Sequence, residues 1–214
     1  MNFRLNFCND SLIILSLYQL FIGVKYMTRS NLPTPDHRPF DYNLVLIGFM
    51  GAGKSTVSDY FHNVFGMEVI EMDRIIAERE GMSISEIFKT RGEEYFRDCE
   101  TALLIEMQSR KNVIISCGGG VPMRERNVAE MKKNGRVILL CVEPETVLAR
   151  LKDDHSRPLL ENNKNVGFVS GLMEKRRAKY EAAADIIIHT DHKSVQEICD
   201  EILMQLQAMD AAGV

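Results

Sequence analysis

The chain has 214 residues, enough for one domain with a short appendage. A hydrophobic fraction of 45% and a charged fraction of 26% are those of a soluble globular protein. The formal charge of −4 leaves no basic excess to displace phosphate counterions, which argues against a nucleic-acid partner.

Ser11 to Val24 is uncharged and mostly apolar, but it is shorter than the roughly 18 residues a membrane-spanning helix needs. No small-x-small cleavage site follows it, since the next residues are Lys25-Tyr26-Met27-Thr28. Met27 reads as the working start, with residues 1–26 absent from or peripheral to the working protein. Prolines at 33, 35 and 39 mark Ser30 to Phe40 as an extended linker. Residues 1–40 are therefore expected to be an extension and linker, disordered or not native. The folded domain, 41–214, begins near Asp41.

Leu44-Val45-Leu46-Ile47 is a first strand, and Gly48-Phe49-Met50-Gly51-Ala52-Gly53-Lys54-Ser55 follows it, then Thr56. This is G-x-x-x-x-G-K-[ST], the phosphate-binding loop, between the strand and the helix that the motif requires. Glycines at 48, 51 and 53 let the backbone curl so that successive N–H groups point at one anion. The helix behind the loop adds first-turn donors and the positive end of its dipole. Lys54 brings a charge to the outer phosphates, and Ser55 a hydroxyl ligand for magnesium. The pattern predicts binding of a nucleoside triphosphate.

The helix runs from Lys54 to Phe65, with Val57, Tyr60, Phe61 and Val64 on one face, and Gly66 ends it. Glu68 to Glu71 is a second strand. Asp73 to Arg79 and Ser83 to Thr90 read as helices, and Gly92 opens a longer one reaching toward Arg110. Val113-Ile114-Ile115 is a third strand, stopped by Cys117 and the three glycines at 118–120. Arg124 to Lys133 is helical and Val137 to Val142 a fourth strand. Pro144 fits the first turn of the next helix, where its missing N–H costs nothing. Lys152 to Asn165 is polar and irregular. Val166 to Ala184 is helical, Asp185 to Ile188 a fifth strand, and Ser194 to Ala208 a closing amphipathic helix. Strands alternating with helices imply an α/β fold: a parallel sheet covered on both faces, with ligands at the carboxyl ends of its strands. The five cysteines (Cys8, Cys99, Cys117, Cys141, Cys199) have no C-x-x-C spacing, so neither a disulfide framework nor a zinc site is expected. Cys141, ending a buried strand, is expected to be a small buried hydrophobe.

Four features converge on the crevice beside the loop. Glu71 and Asp73 end the second strand at spacing two; the plainer reading of Asp73 is a helix N-cap. Arg97 lies one turn into the helix opened by Gly92, with Glu100 three residues on, which suits a guanidinium held by an acid and aimed at a substrate carboxylate. Three glycines at 118–120 are costly in backbone entropy, and close approach of a ligand to bare backbone explains them. Arg157-Pro158-Leu159-Leu160, in the polar stretch, suits a mobile loop that neutralises charge during phosphoryl transfer.

Together these pieces resemble the shikimate kinase family across residues 42–208. The resemblance rests on Gly48–Thr56, the acid pair ending in Asp73, Gly-Glu-x-x-Phe-Arg-x-x-Glu at 92–100, Gly118-Gly119-Gly120, Arg150 ahead of Arg157-Pro158-Leu159-Leu160, and Arg176-x-x-x-Tyr180. It implies a three-layer α/β/α fold of the nucleoside monophosphate kinase type, with a five-stranded parallel sheet and a lid at 152–165. It implies transfer of the γ-phosphoryl of ATP to the 3-hydroxyl of shikimate, in a cytoplasmic, monomeric enzyme with Mg2+ as cofactor and no membrane or nucleic-acid partner. By matching position, Lys54, Asp73 and Arg157 are catalytic. ATP is bound by Gly51, Ala52, Gly53, Lys54, Ser55, Thr56, Arg150 and Arg157, with Arg150 stacking on the adenine. Shikimate is bound by Asp73, Gly118, Gly119, Gly120 and, through its carboxylate, Arg97 and Arg176. Magnesium is held by Ser55 and, through water, Glu71.

Two positions depart from the family pattern. Glu71 stands where an aspartate is usual, and Cys117 where a threonine or serine is common. A related small-molecule kinase, such as a gluconate kinase, and a nucleotide-binding relic without transfer are the competing readings.

Overall fold

The computed structural model describes residues 40–152 and 165–213. The expected extension, apart from Phe40, and most of the expected lid, including Arg157, lie outside the described residues. Five strands, β1 (Asn43–Gly48), β2 (Glu68–Glu71), β3 (Val113–Ser116), β4 (Gly135–Cys141) and β5 (Ile186–His189), form one sheet in the order β2-β3-β1-β4-β5. All four pairings are parallel, as expected. Every residue of the central strand β1 is buried, because crossover helices cover both faces of such a sheet.

The helices are α1 (Lys54–Phe65), α2 (Met72–Glu80), α3 (Ile84–Glu106), α4 (Glu125–Lys133), α5 (Pro144–Arg150), α6 (Val166–Ala183) and α7 (Val195–Ala212). Alternate residues of β1 serve two cores. Leu44 and Leu46 join Val57 and Phe61 of α1 and Ile198, Ile202 and Leu206 of α7. Val45 and Ile47 join Ile76 of α2, Leu103 and Leu104 of α3 and Met131 of α4. Full burial of each such side chain contributes roughly 1.5–3 kcal/mol.

The boundaries differ from expectation where long-range packing decides them. The helices expected on either side of Gly92 are one run bent at that residue, whose φ of 87° and ψ of 166° interrupt the helical ladder. Strand β4 starts two residues early, at Gly135. A side chain there would lie 2.8 Å from both Met131 O and Val45 Cγ2, so only glycine lets the chain enter the sheet at that point. Helix α7 continues to Ala212 and ends where Gly213 turns left-handed. Cys141 is only half-buried; Cys117 and Cys199 are the buried thiols among the described residues.

Candidate active site

The loop between β1 and α1 has the curl its glycines predict. Gly51 and Gly53 have φ of 77° and 99°, a region closed to most side chains. A Cβ on Gly48 would lie 2.5 Å from Leu140 O of β4. Gly53 is the N-cap of α1 and offers no side-chain cap, so the first-turn N–H groups face the loop's concavity. Lys54 Nζ donates to the carbonyls of Gly48 and Phe49, at 3.0 and 3.2 Å, which sets the ammonium against the loop. Arg150, the last residue of α5, donates to Gly51 O at 2.8 Å and to Thr190 O at 3.3 Å. It ties the loop to the segment after β5.

A crevice of about 420 Å³ opens between this loop and the carboxyl ends of β2 and β3. Gly51, Gly53, Lys54, Ser55, Thr56 and Arg150 border it on the loop side. Glu71, Asp73, Gly118, Gly119 and Arg176 border it opposite. Ala52 is fully buried and turned into the core, so only its backbone can serve a ligand. Asp73 is not the cap of α2: Glu71 holds that position, without a side-chain cap bond, and Asp73 lies inside the first turn. The chain leaves β2 and enters the helix without a spacer, which moves the cap back by two residues.

Arg97 and Glu100 meet as their spacing implies. Arg97 Nη1 lies 3.0 Å from both oxygens of Glu100, and its Nη2 2.8 Å from Glu93. The guanidinium also faces the rings of Phe88 and Phe96. Glu100 is fully buried, and burial pushes its carboxyl up to about 7, a shift that Arg97 opposes and Asp73 reinforces.

Protein side chains press on the three glycines, two of which, Gly118 and Gly119, also border the crevice. A Cβ on Gly118 would lie 2.5 Å from Asp73 Oδ1 and 3.2 Å from Glu100 Oε1. One on Gly120 would fall within the guanidinium of Arg97. One on Gly119 would touch Arg176 Nη1 and the Tyr180 hydroxyl, both at 3.4 Å. None of the three has a positive φ, so at 118 and 120 it is space and not backbone conformation that excludes a side chain, whereas a Cβ at 119 would make only ordinary contacts. The segment is the common surface on which Asp73, Arg97 and Arg176 converge from α2, α3 and α6.

Cys117 borders the crevice, yet its Sγ packs 3.9 Å from Met131 Sδ within the core. Burial raises its thiol well above the ordinary range, so it is an inert apolar filler. Ser116, absent from the expected site, also borders the crevice and pairs in register with Glu71. A lone polar residue closing the apolar run Val113–Ile115 was its only signal.

A family model described as shikimate kinase matches residues 50–207. The chain belongs to the shikimate kinase family. It is 44% identical over 160 residues to a shikimate kinase of Dehalococcoides mccartyi, covering 75% of this chain and 90% of that protein. Identity to a shikimate kinase of Persephonella marina is 41% over 165 residues, covering 77% and 99%. Among solved structures, the shikimate kinase of Acinetobacter baumannii in complex with shikimate superposes with a TM-score of 0.72 at 32% identity, covering 78% of this chain and 93% of that one. The shikimate kinase of Aquifex aeolicus gives 0.67 at 35% identity, covering 80% and 99%. A gluconokinase of Sinorhizobium meliloti, at 18% identity and a TM-score of 0.51, shares the fold alone.

As a shikimate kinase family member the chain is an ATP-using kinase, and such chemistry calls for a divalent cation. Among the described residues no three His, Cys, Asp or Glu side chains cluster as a metal cage. Ser55 and Glu71 nevertheless border one crevice, and a hard cation that keeps its waters and binds phosphates needs only one or two protein oxygens. No helix among the described residues is long and apolar enough to cross a membrane.

Proposed function

We propose that this kinase transfers the γ-phosphoryl group of ATP to the 3-hydroxyl of shikimate, with magnesium as the cation, in aromatic amino-acid synthesis. The supporting observation is the single crevice that joins the phosphate loop to Asp73 and Arg176 across the glycine segment. Coupled ADP release with shikimate, gluconate and nucleoside monophosphates as acceptors tests it. Turnover confined to shikimate is the expected result, and equal rates with gluconate would overturn it.

In this reading the loop amides of Gly51 to Thr56 and the Lys54 ammonium hold the phosphates, and Arg150 lies against the adenine. Asp73 accepts a hydrogen bond from the attacking hydroxyl and points it in line with the phosphorus. Magnesium, when bound, neutralises charge on the transferring phosphates. Ser55 would hold it directly and Glu71 through water. Arg157 would reach the phosphates from a lid at 152–165. Residues 1–40, outside the family match, form an extension to a domain of 41–214. The negative net charge favours small-molecule partners over nucleic acid, in a cytoplasmic monomer.

Arg97 and Arg176 take the acceptor's carboxylate. Removing one leaves a buried charge without its partner, which costs roughly 2–5 kcal/mol in such pairs. Arg97→Ala is therefore expected to raise the shikimate KM strongly while leaving the ATP KM unchanged. Gly120→Ala is expected to copy that pattern, because the new methyl group displaces the guanidinium. Steady-state kinetics with each substrate varied in turn will show it. A Gly120→Ala enzyme with a normal shikimate KM would remove Arg97 from the carboxylate site.

Glu71 would reach the cation through water, and an outer carboxylate tolerates one extra methylene better than a direct ligand would. Glu71→Asp is expected to stay active. Glu71→Ala is expected to lose roughly 10–100-fold in activity and in apparent magnesium affinity. Magnesium titrations of both variants decide it: unaltered magnesium dependence in Glu71→Ala would leave Glu71 without a metal role.

A further inference from the structure

Arg176 and Tyr180 lie four residues apart on α6 and so share one face of it. The reading above uses the arginine and leaves the tyrosine without a task. Tyr180 is only 5% exposed, and a phenol buried that far needs a polar partner. Its hydroxyl donates to Gly119 O at 2.6 Å, while Arg176 Nη1 reaches the same oxygen at 3.4 Å. The short bond goes to the phenol and the long one to the guanidinium. Burial raises the Tyr180 hydroxyl above its ordinary range, against the opposing pull of Arg176 and Arg97, so it remains a donor at neutral pH.

This division matters because Gly119 has no side chain with which to fix its own peptide plane. Its neighbours on either side are glycines as well. The plane must therefore be held from outside. That carbonyl and the Tyr180 hydroxyl are both hydrogen-bond partners of the Arg176 guanidinium, which lies 5.8 Å from the Phe49 ring centre in the phosphate loop. Without the phenol's bond, the half-buried Gly119 carbonyl would keep the guanidinium as its remaining side-chain donor and draw it closer.

We infer that Tyr180 is a positioning residue: by satisfying Gly119 O, it fixes the glycine segment and leaves the Arg176 guanidinium directed at the acceptor's carboxylate. This rests on the reading of Arg176 as an acceptor-binding residue. Tyr180→Phe keeps the ring and its packing and removes only the hydroxyl.

The experiment compares wild type, Tyr180→Phe, Arg176→Ala and the double variant, with shikimate and ATP varied separately and thermal melts in parallel. Tyr180→Phe is expected to raise the shikimate KM about tenfold, the worth of one buried hydrogen bond, with the ATP KM unchanged. Its kcat should stay within about threefold, because the hydroxyl touches no reacting atom. In the Arg176→Ala background the same substitution should add less than about twofold, since the group it steers is gone. A raised shikimate KM in Arg176→Ala with an unchanged one in Tyr180→Phe overturns the inference alone and leaves the phenol a packing anchor, read only in the melting temperature. A Tyr180→Phe penalty that persists undiminished in the double variant overturns it too. An unchanged shikimate KM in Arg176→Ala removes the carboxylate reading of Arg176 itself, and the inference with it.

Discussion

Lys54→Ala is expected to abolish phosphoryl transfer while leaving the fold intact. The ammonium lies against the loop, 3.0 Å from Gly48 O and 3.2 Å from Phe49 O, at the positive end of α1. In the proposed reaction charge would build there on the oxygens of the transferring group, and fixed cations stabilise such charge most in the transition state. Removing such a cation costs about 10³-fold or more in kcat, by analogy with arginines supplied to the same kind of transition state. The fold loses little, because the alanine keeps helix propensity in α1 and the loop glycines keep their conformation. A melting curve within a few degrees of wild type, beside single-turnover rates at the detection limit, is the anticipated pair of results. A variant retaining a tenth of the wild-type kcat would strip Lys54 of its role in the chemistry.

Asp73→Asn is expected to lower kcat/KM for shikimate by about 10²–10⁴-fold, the usual range for a lost acid–base group, while sparing ATP binding. The amide keeps the shape that fits beside Gly118 but loses the charge that, in the proposed reaction, draws the hydroxyl proton. A second explanation exists, because a carboxylate in the first turn of α2 also favours the helix dipole. That contribution amounts to roughly 0.3–1 kcal/mol of stability. A hundredfold rate loss corresponds to about 2.7 kcal/mol, too much for a dipole effect at the helix start. Calorimetry of ATP binding together with acceptor kinetics separates the two. Near-normal turnover, with only a lowered melting temperature, would leave Asp73 a helix-terminus residue.

Much of the fold was legible because its signals are local. Short apolar runs marked the strands, with a glycine close to four of the five, and the phosphate loop announced itself by spacing alone. Arg97 and Glu100 were readable for the same reason, since three residues on a helix fix which side chains meet. What escaped depends on partners remote in the chain. Gly135 is required by Val45, ninety residues earlier, and by the end of α4. A cap was a plausible alternative for Asp73 because nothing nearby showed that α2 starts directly at the strand's end. Ser116 and Tyr180 matter through Glu71 and Gly119, neighbours that only the sheet register and the packing of α6 bring together. The crowding around the three consecutive glycines was hidden for the same cause: the side chains that press on them come from three separate helices.

Those glycines also decide which positions are free to change. Residues 118–120 behave as a mould whose inner surface is defined by what presses on it from behind, so a side chain at 118 or 120 would displace a charged group. Acceptor preference can therefore drift through conservative exchanges on α2, α3 and α6, one helix at a time. Gly118 and Gly120 have no such latitude. A duplicated copy evolving toward a new acceptor would be expected to alter the three charged positions long before it altered the bare backbone between them.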